Sequence, residues 1–270
     1  MDIGYYDFSG LRLREDPARD EVFEVVRSDA EMHEYEGTSA EAQRETIHRH
    51  MSNEITSLDI AAQMLVDFPG APWELQMELA RQCWDEARHV AALHRRLVEM
   101  GGRKGEFPVT TFEWSVTSSI DNISGRLATQ NRTLEAGAMD VVGGLIKSFE
   151  ALGDRRSAEM LDTILADEVQ HVRFANRWIK RLAGQDRRVL MQVARAVRLL
   201  SDANQAMLWK AGTQNKVGKV FDDPAATIPA VNVSHRQLAE FSDDEIAVIL
   251  KQAGFRTLVT ENAVTENAAP

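Results

Sequence analysis

Asp85-Glu86-Ala87-Arg88-His89 and Asp167-Glu168-Val169-Gln170-His171 are two short stretches with one pattern. Each sets a Glu and a His three residues apart, each pair is preceded by Asp, and each lies in a run with helical spacing of apolar residues. On a helix, residues three apart project from one face. A single Glu-x-x-His pair arises often by chance and most often reads as a surface ion pair. Two copies inside apolar-patterned helices call for another explanation.

The partner helices repeat as well. Glu54-Ile55-Thr56-Ser57-Leu58-Asp59-Ile60 aligns with Glu135-Ala136-Gly137-Ala138-Met139-Asp140-Val141, and further on Leu65 aligns with Ile146 and Phe68 with Phe149. A helix pair therefore recurs along the chain. Working outward, five long helices are expected, over about 39–68, 73–100, 120–152, 156–182 and 187–210. Thr38-Ser39-Ala40-Glu41 is a capping-type start, and Phe68-Pro69-Gly70-Ala71-Pro72, Gly101-Gly102, Gly153-Asp154 and Ala183-Gly184 are breaks. In an antiparallel hairpin, residues equidistant from the turn lie at one height. Glu54 and Glu86 are equidistant from Gly70, and Glu135 and Glu168 from a point just before Gly153. Glu54 thus faces Glu86 and His89, and Glu135 faces Glu168 and His171. Each arm is roughly 24 Å long at about 1.5 Å per residue, so the meeting point is deep in the bundle.

Four carboxylates and two imidazoles in a helical core are costly. Unpaired buried charges cost several kcal/mol each, and adjacent carboxylates repel until some take up protons. Two divalent cations remove both penalties, because four positive charges balance four negative ones. Oxygen donors with some imidazole suit iron or manganese. One Glu from each of two helices plus Glu-x-x-His from each of the other two is the di-iron carboxylate arrangement.

On these motifs the chain resembles the ferritin-like di-iron carboxylate superfamily over roughly residues 40–183. His50-Met51-Ser52-Asn53-Glu54-Ile55-Thr56-Ser57-Leu58-Asp59 together with Trp84-Asp85-Glu86-Ala87-Arg88-His89 is similar to the ferritin-like group called domain of unknown function 455. The resemblance implies Glu54, Glu86, His89, Glu135, Glu168 and His171 as metal ligands, with Glu86 and Glu168 bridging. It also implies that Asp85 and Asp167 accept the other N–H of the ligand histidines and fix their tautomers. Asp59 and Asp140, five residues past a ligand, are expected on another face, bound to neighbouring helices.

Other residues bear on the chemistry. His50 lies one turn before Glu54 and is the candidate catalytic residue: an extra ligand, a proton donor, a substrate contact, or a hydrogen-bonded bundle histidine. Asn131 holds the equivalent place before Glu135, which makes the site asymmetric. His48 and His94 read as packing or surface residues. Cys83 reads as a buried, inert thiol near the pocket. Gly143-Gly144 leaves room for substrate, for a local bulge or for close packing. Trp84, Phe149 and Trp178 are expected in the core, and Trp209 over one end of the bundle. All three tyrosines, Tyr5, Tyr6 and Tyr35, precede the bundle, so a buried tyrosyl radical has no evident residue.

The composition fits this architecture. The chain has 270 residues, 44% hydrophobic and 27% charged, which is ordinary for a globular protein. Its net charge of −11 gives no overall attraction to nucleic acid. One cysteine excludes an internal disulfide, a four-cysteine zinc site and a CxxC iron site. No apolar run is long enough to span a membrane, and no secretory signal is evident, so a cytoplasmic setting is expected. The expected fold is all-α: an irregular segment over 1–38, a ferritin-like four-helix bundle with one long crossover over 39–184, and a fifth helix with a C-terminal extension over 185–270. Irregular chain is expected over 221–233 and a short helix from Ser242 to Gly254.

The expected function is O2-dependent oxidation of a small organic substrate at two iron ions, with manganese possible at one or both positions. Hydroxylation, N-oxygenation and desaturation are the candidate outcomes. An external electron donor and a homodimer are compatible partners. The competing reading is a ferroxidase or an iron- and peroxide-handling protein without organic substrate. A non-catalytic, metal-stabilised bundle is a third.

Overall fold

The computed structural model describes residues 4–27, 31–33, 35, 37–211 and 231–252. The first hairpin joins α1, Ala40–Asp67, to α2, Trp73–Glu99. Ser39 starts α1 by accepting a hydrogen bond from the Ala42 N–H at 3.1 Å. The second hairpin joins a composite helix to α6, Arg155–Gln185. Gly153 turns the chain there with φ +77°, and Asp154 caps α6 by accepting from the Ser157 N–H at 3.1 Å.

The composite helix corrects the expected single helix over 120–152. It consists of α4, Ile123–Thr129, a π-helical segment, Gln130–Glu135, and α5, Ala136–Ala151. The widened turn lies at Gln130–Glu135, and the helix runs unbroken through Gly143-Gly144, where a bulge was one option. At Gly143 a β-carbon would sit 3.3 Å from Asn232 Nδ2. The missing side chain there accommodates the C-terminal segment.

The long crossover contains β4, Val109–Thr110, and α3, Phe112–Ser118. The start of the chain is not irregular: β1, Tyr5–Phe8, and β2, Leu11–Arg14, form an antiparallel hairpin. Its two-residue turn, Ser9-Gly10, has φ of 54° and 84°, the backbone that a type I′ turn requires. β3, Val25–Val26, pairs in parallel with β4. The fifth long helix, α7, Arg188–Ala211, packs against α3, α4 and α6. α8, Val233–Leu238, and α9, Asp243–Gln252, follow. The chain expected to be irregular over 221–233 lies outside the described residues up to 230, and the Trp209 side chain is outside them too.

The molecule is an all-α, ferritin-like four-helix bundle. Among the described residues two apolar clusters fill the bundle, and a third, with Phe8, Leu13, Phe112, Val116 and Leu200, joins the N-terminal hairpin to α3 and α7. Of the two in the bundle, Met51, Leu93, Leu97, Met139, Leu161 and Leu165 belong to one, and Ile60, Met64, Leu75, Leu79, Leu127 and Phe174 to the other. On each helix the candidate ligands fall between these two sets. The site is therefore a polar layer between two apolar ones, and hydrophobic burial at both ends fixes its height. Phe149 and Trp178 are core residues as expected, but Trp84 is 64% exposed. Trp84 sits on the side of α2 opposite Glu86 and His89, and helical phase overrides the residue's usual preference for burial.

Candidate metal centre

Glu54 from α1, Glu86 and His89 from α2, Glu135 from the π-helical segment, and Glu168 and His171 from α6 converge in this layer. All six are buried. Their donor atoms form two groups, each within 4.8 Å: Glu54, Glu86, His89 and Glu168 in one, and Glu86, Glu135, Glu168 and His171 in the other. Glu86 and Glu168 belong to both, as bridging residues must.

The histidines present Nδ1 inward. His89 Nδ1 lies 3.2 Å from Glu54 Oε2, 3.0 Å from Glu86 Oε2 and 3.5 Å from Glu168 Oε1. His171 Nδ1 lies 3.3 Å from Glu86 Oε1 and 3.6 Å from Glu168 Oε2. Their Nε2 atoms point outward to carboxylates, and the pairing is crossed. His89 Nε2 is 3.1 Å from Asp167 Oδ2, and His171 Nε2 is 3.4 Å from Asp85 Oδ2. An Nε2–H donated to aspartate leaves the Nδ1 lone pair facing inward. Arg88 links the two acids. It donates to Asp85 and, at 3.0 Å, to Asp167 Oδ2, while Arg81 donates to Asp85 Oδ2 at 2.9 Å.

Glu135 is held by amides. Gln82 Nε2 and Gln130 Nε2 donate to its Oε1, and Asn131 Nδ2 donates to its Oε2 at 2.8 Å. Gln82 also donates to Glu86 Oε1 at 3.2 Å and accepts from Asn131 at 3.0 Å. The expected asymmetry is present. At the corresponding place on α1, His50 Nε2 lies 3.1 Å from Glu54 Oε1. Gln82, Gln130 and Arg88 are site residues that sequence reading passed over. Gln82 had a signal, since it lies one turn before Glu86 on the ligand face.

Burial pushes the Glu54, Glu135 and Glu168 carboxyls above their usual range, reinforced by neighbouring carboxylates. Burial would also raise Glu86, but hydrogen bonds from His171 and His89 outweigh it and hold Glu86 below that range. Burial alone would lower both His89 and His171. For His89, hydrogen bonds to Glu54 and Glu86 overcome it and push the ring up to about 11. For His171, the Glu168 charge and the bond to Asp85 drive the same rise. His50 goes the other way, down to about 4, through burial and the positive charge of His89.

The geometry fits a pair of cations. Glu168 Oε1 and His171 Nδ1 are buried and make no hydrogen bond in the chain, although each faces other donor atoms of the cluster. Atoms of this kind also occur elsewhere in the described chain, but these two face points that other donors of the cluster share. The set is four carboxylates and two imidazoles with no thiolate, so it suits hard or borderline divalent metals.

The remaining sequence expectations divide. Asp59 pairs with Arg19 of the N-terminal segment rather than with a helix. Asp140 accepts from Arg236 of α8 at 2.6 Å and from the Asn232 N–H at 2.7 Å. The two repeated aspartates thus anchor the two chain extensions. His48 is a packing residue: it is fully buried beside Phe23 and Phe107 and accepts from the Gly105 N–H at 3.0 Å. His94 is exposed. Cys83 is partly buried, 4.0 Å from Leu58 O, with its thiol pushed up to about 11 by burial and the Glu86 charge, as an inert cysteine would be. Among the described residues, no helix is long and apolar enough to cross a membrane.

No curated protein and no solved structure matches the chain. A family model described as "Protein of unknown function (DUF455)" matches residues 8–247, most of the length and all six candidate ligands, and the chain belongs to that family.

Proposed function

We propose that the centre binds two first-row divalent ions, with iron as the resident pair and manganese as the alternative at one or both positions. We further propose that the protein is an O2-dependent oxidoreductase acting on a small organic substrate. The observation that supports this reading is the sharing of Glu86 and Glu168 between two groups of four candidate donors. When bound, a ferrous pair supplies the electrons and open coordination positions that O2 activation needs.

The chain's own residues supply the setting. Apolar layers above and below exclude water from the cluster. Asp85 and Asp167 fix the ligand histidines, and the three amides fix Glu135. His50 is neutral over the physiological range and places Nε2 beside Glu54. Its role in this reading is to hold or pass a proton at that edge of the centre.

A cleft of about 340 Å³ lies between α1, α3 and α7, and none of the six candidate ligands lines it. Ser52, Asn53, Thr56, Phe112, Leu134 and Leu200 contribute to its wall. The volume is that of a small-molecule site, and access from it to the centre is part of the proposal. Hydroxylation, N-oxygenation and desaturation all fit such a site, with reducing equivalents from an external donor.

The test is stopped-flow absorbance of the ferrous-loaded protein mixed with O2, repeated across a panel of small amines, acids and hydrocarbons. One compound that accelerates the decay of the transient and leaves oxidised supports the reading. Sustained oxidation of excess ferrous iron, with no compound altering the kinetics, would replace it with a ferroxidase.

A further inference from the structure

The π-helical segment Gln130–Glu135 is gripped from outside the four-helix bundle. Arg132, in its middle, donates to Asn176 Oδ1 on α6 and, at 2.5 Å, to Glu245 Oε1 on α9. Just past its end, Arg236 of α8 donates to the Ala136 carbonyl oxygen at 2.9 Å and to Asp140 Oδ2 at 2.6 Å. Phe241, between α8 and α9, lies against both guanidinium groups, with Arg132 Cζ 4.6 Å and Arg236 Cζ 5.4 Å from its ring centre. Asn176 closes this ring of contacts by donating to the Ala239 carbonyl oxygen at 2.7 Å. Ala239, Phe241 and Ile246 are buried in the same apolar cluster as Ala136 and Met139. Burial as well as charge therefore fixes α8 and α9 to the bundle.

A π turn is rare and is found most often at functional sites. On an α-helix, Arg132 and Glu135, three apart, would share a face. Here they part. Glu135 enters the polar layer, where Gln82, Gln130 and Asn131 donate to it, while Arg132 reaches outward to α9. The contacts of α8 and α9 thus bear on the one candidate ligand that stands on π-helical backbone. We propose that α8 and α9 form a clamp that keeps this turn widened, with Arg132 and Arg236 as positioning residues for Glu135. The clamp acts on the donor group Glu86, Glu135, Glu168 and His171, and leaves the group containing Glu54 and His89 unaltered. The N-terminal segment has a comparable anchor, Arg19 on Asp59, but α1 is regular α-helix there and offers it no widened turn to hold. This inference rests on the two-metal reading of the centre.

The test pairs amide hydrogen exchange of the metal-free full chain with Mn²⁺ titration calorimetry. Arg132→Leu and Glu245→Gln remove the outer grip, Arg236→Leu removes the inner one, and Arg236→Lys keeps a donor there. Arg177→Leu is the control, since it breaks the surface pair with Glu240, between α8 and α9, without touching the widened turn. Exchange of the 130–136 amides is expected to accelerate in the first three variants, while amides over 82–93 keep the wild-type rate. Affinity for one of the two ions should fall about 10-fold in those variants, with the other ion unchanged. Arg236→Lys should lie nearer the wild type, and Arg177→Leu should match it. Glu245 is partly exposed, so Glu245→Gln reports even where Arg236→Leu disturbs folding. Unchanged exchange in Arg132→Leu and Glu245→Gln overturns the clamp, as does equal acceleration in Arg177→Leu. Faster exchange with both affinities unchanged, or with both lowered equally, overturns the positioning role. A wild type that takes up no pair of ions would overturn the two-metal reading instead, and the exchange rates would still decide the clamp.

Discussion

His89 on α2 is oriented by Asp167 on α6, with Nε2 3.1 Å from Oδ2, and His171 on α6 is oriented by Asp85 on α2. Each motif's aspartate serves the other motif's histidine. The two helices therefore assemble the centre jointly, and neither carries a complete half. Asp167→Asn is expected to weaken metal binding about 10- to 100-fold at the position ligated by His89, while the His171 position changes less. Asp85→Asn should do the reverse. Calorimetric titration of each variant with Mn²⁺ checks this. Equal loss at both positions, or loss at the position of the variant's own motif, would contradict the crossed arrangement.

Gln82 ties the layer together through Glu86, Glu135 and Asn131. Replacing it with Leu leaves Asn131 and Glu135 short of partners in a buried setting. Such a loss costs about 1–3 kcal/mol. Urea unfolding of metal-free Gln82→Leu should show a lowered midpoint with unchanged slope. An unchanged midpoint would mean that the amide network contributes nothing.

Metal binding should release protons. In the metal-free protein, Glu54, Glu135 and Glu168 are shifted up by burial, and His89 is raised to about 11 by Glu54 and Glu86. His89 therefore carries its proton at neutral pH and must lose it at Nδ1 to ligate. The sign follows: affinity rises with pH throughout the range 6–8, with no plateau below the His89 value. Titration calorimetry in buffers of different ionisation enthalpy measures the protons released. A release of zero would contradict the protonated cluster.

His48 is buried in its neutral form, and burial lowers its pKa to about 4. The unfolded chain takes up this proton near the ordinary histidine value, about 6.5, before the folded chain does. Stability from this residue is full above that value and is lost as pH falls toward 4. His48→Gln keeps an acceptor for the Gly105 N–H and should flatten this part of the pH profile relative to wild type. Chemical denaturation at intervals between pH 4 and 7 reads it. Parallel profiles for the two proteins would show that His48 is not the source.

How much of this was legible in the sequence depends on range. The convergence of the six candidate ligands was, because Glu-x-x-His spacing and hairpin midpoints are local or nearly local, and repetition doubled the signal. The Ser9-Gly10 turn between Tyr5–Phe8 and Leu11–Arg14 was legible too, as a small residue and a glycine between alternating runs, although it was read as irregular chain. The crossed pairing was not, since Asp85 and His171 lie far apart in sequence and meet only through packing. The widened turn at Gln130–Glu135 leaves no mark on a 3.6-residue pattern. Trp84 shows the opposite failure. Its identity suggested core, while its phase against Glu86 and His89 already placed it outside.

The central claim is that Glu86 and Glu168 are shared by two metal ions. It is tested most directly by metal content per chain after anaerobic loading with Fe²⁺ and removal of loose ions, in wild type, Glu86→Ala and Glu168→Ala. The account predicts two ions in the wild type and loss of two-metal occupancy in each variant, all three remaining helical. Two ions retained in both variants would contradict it.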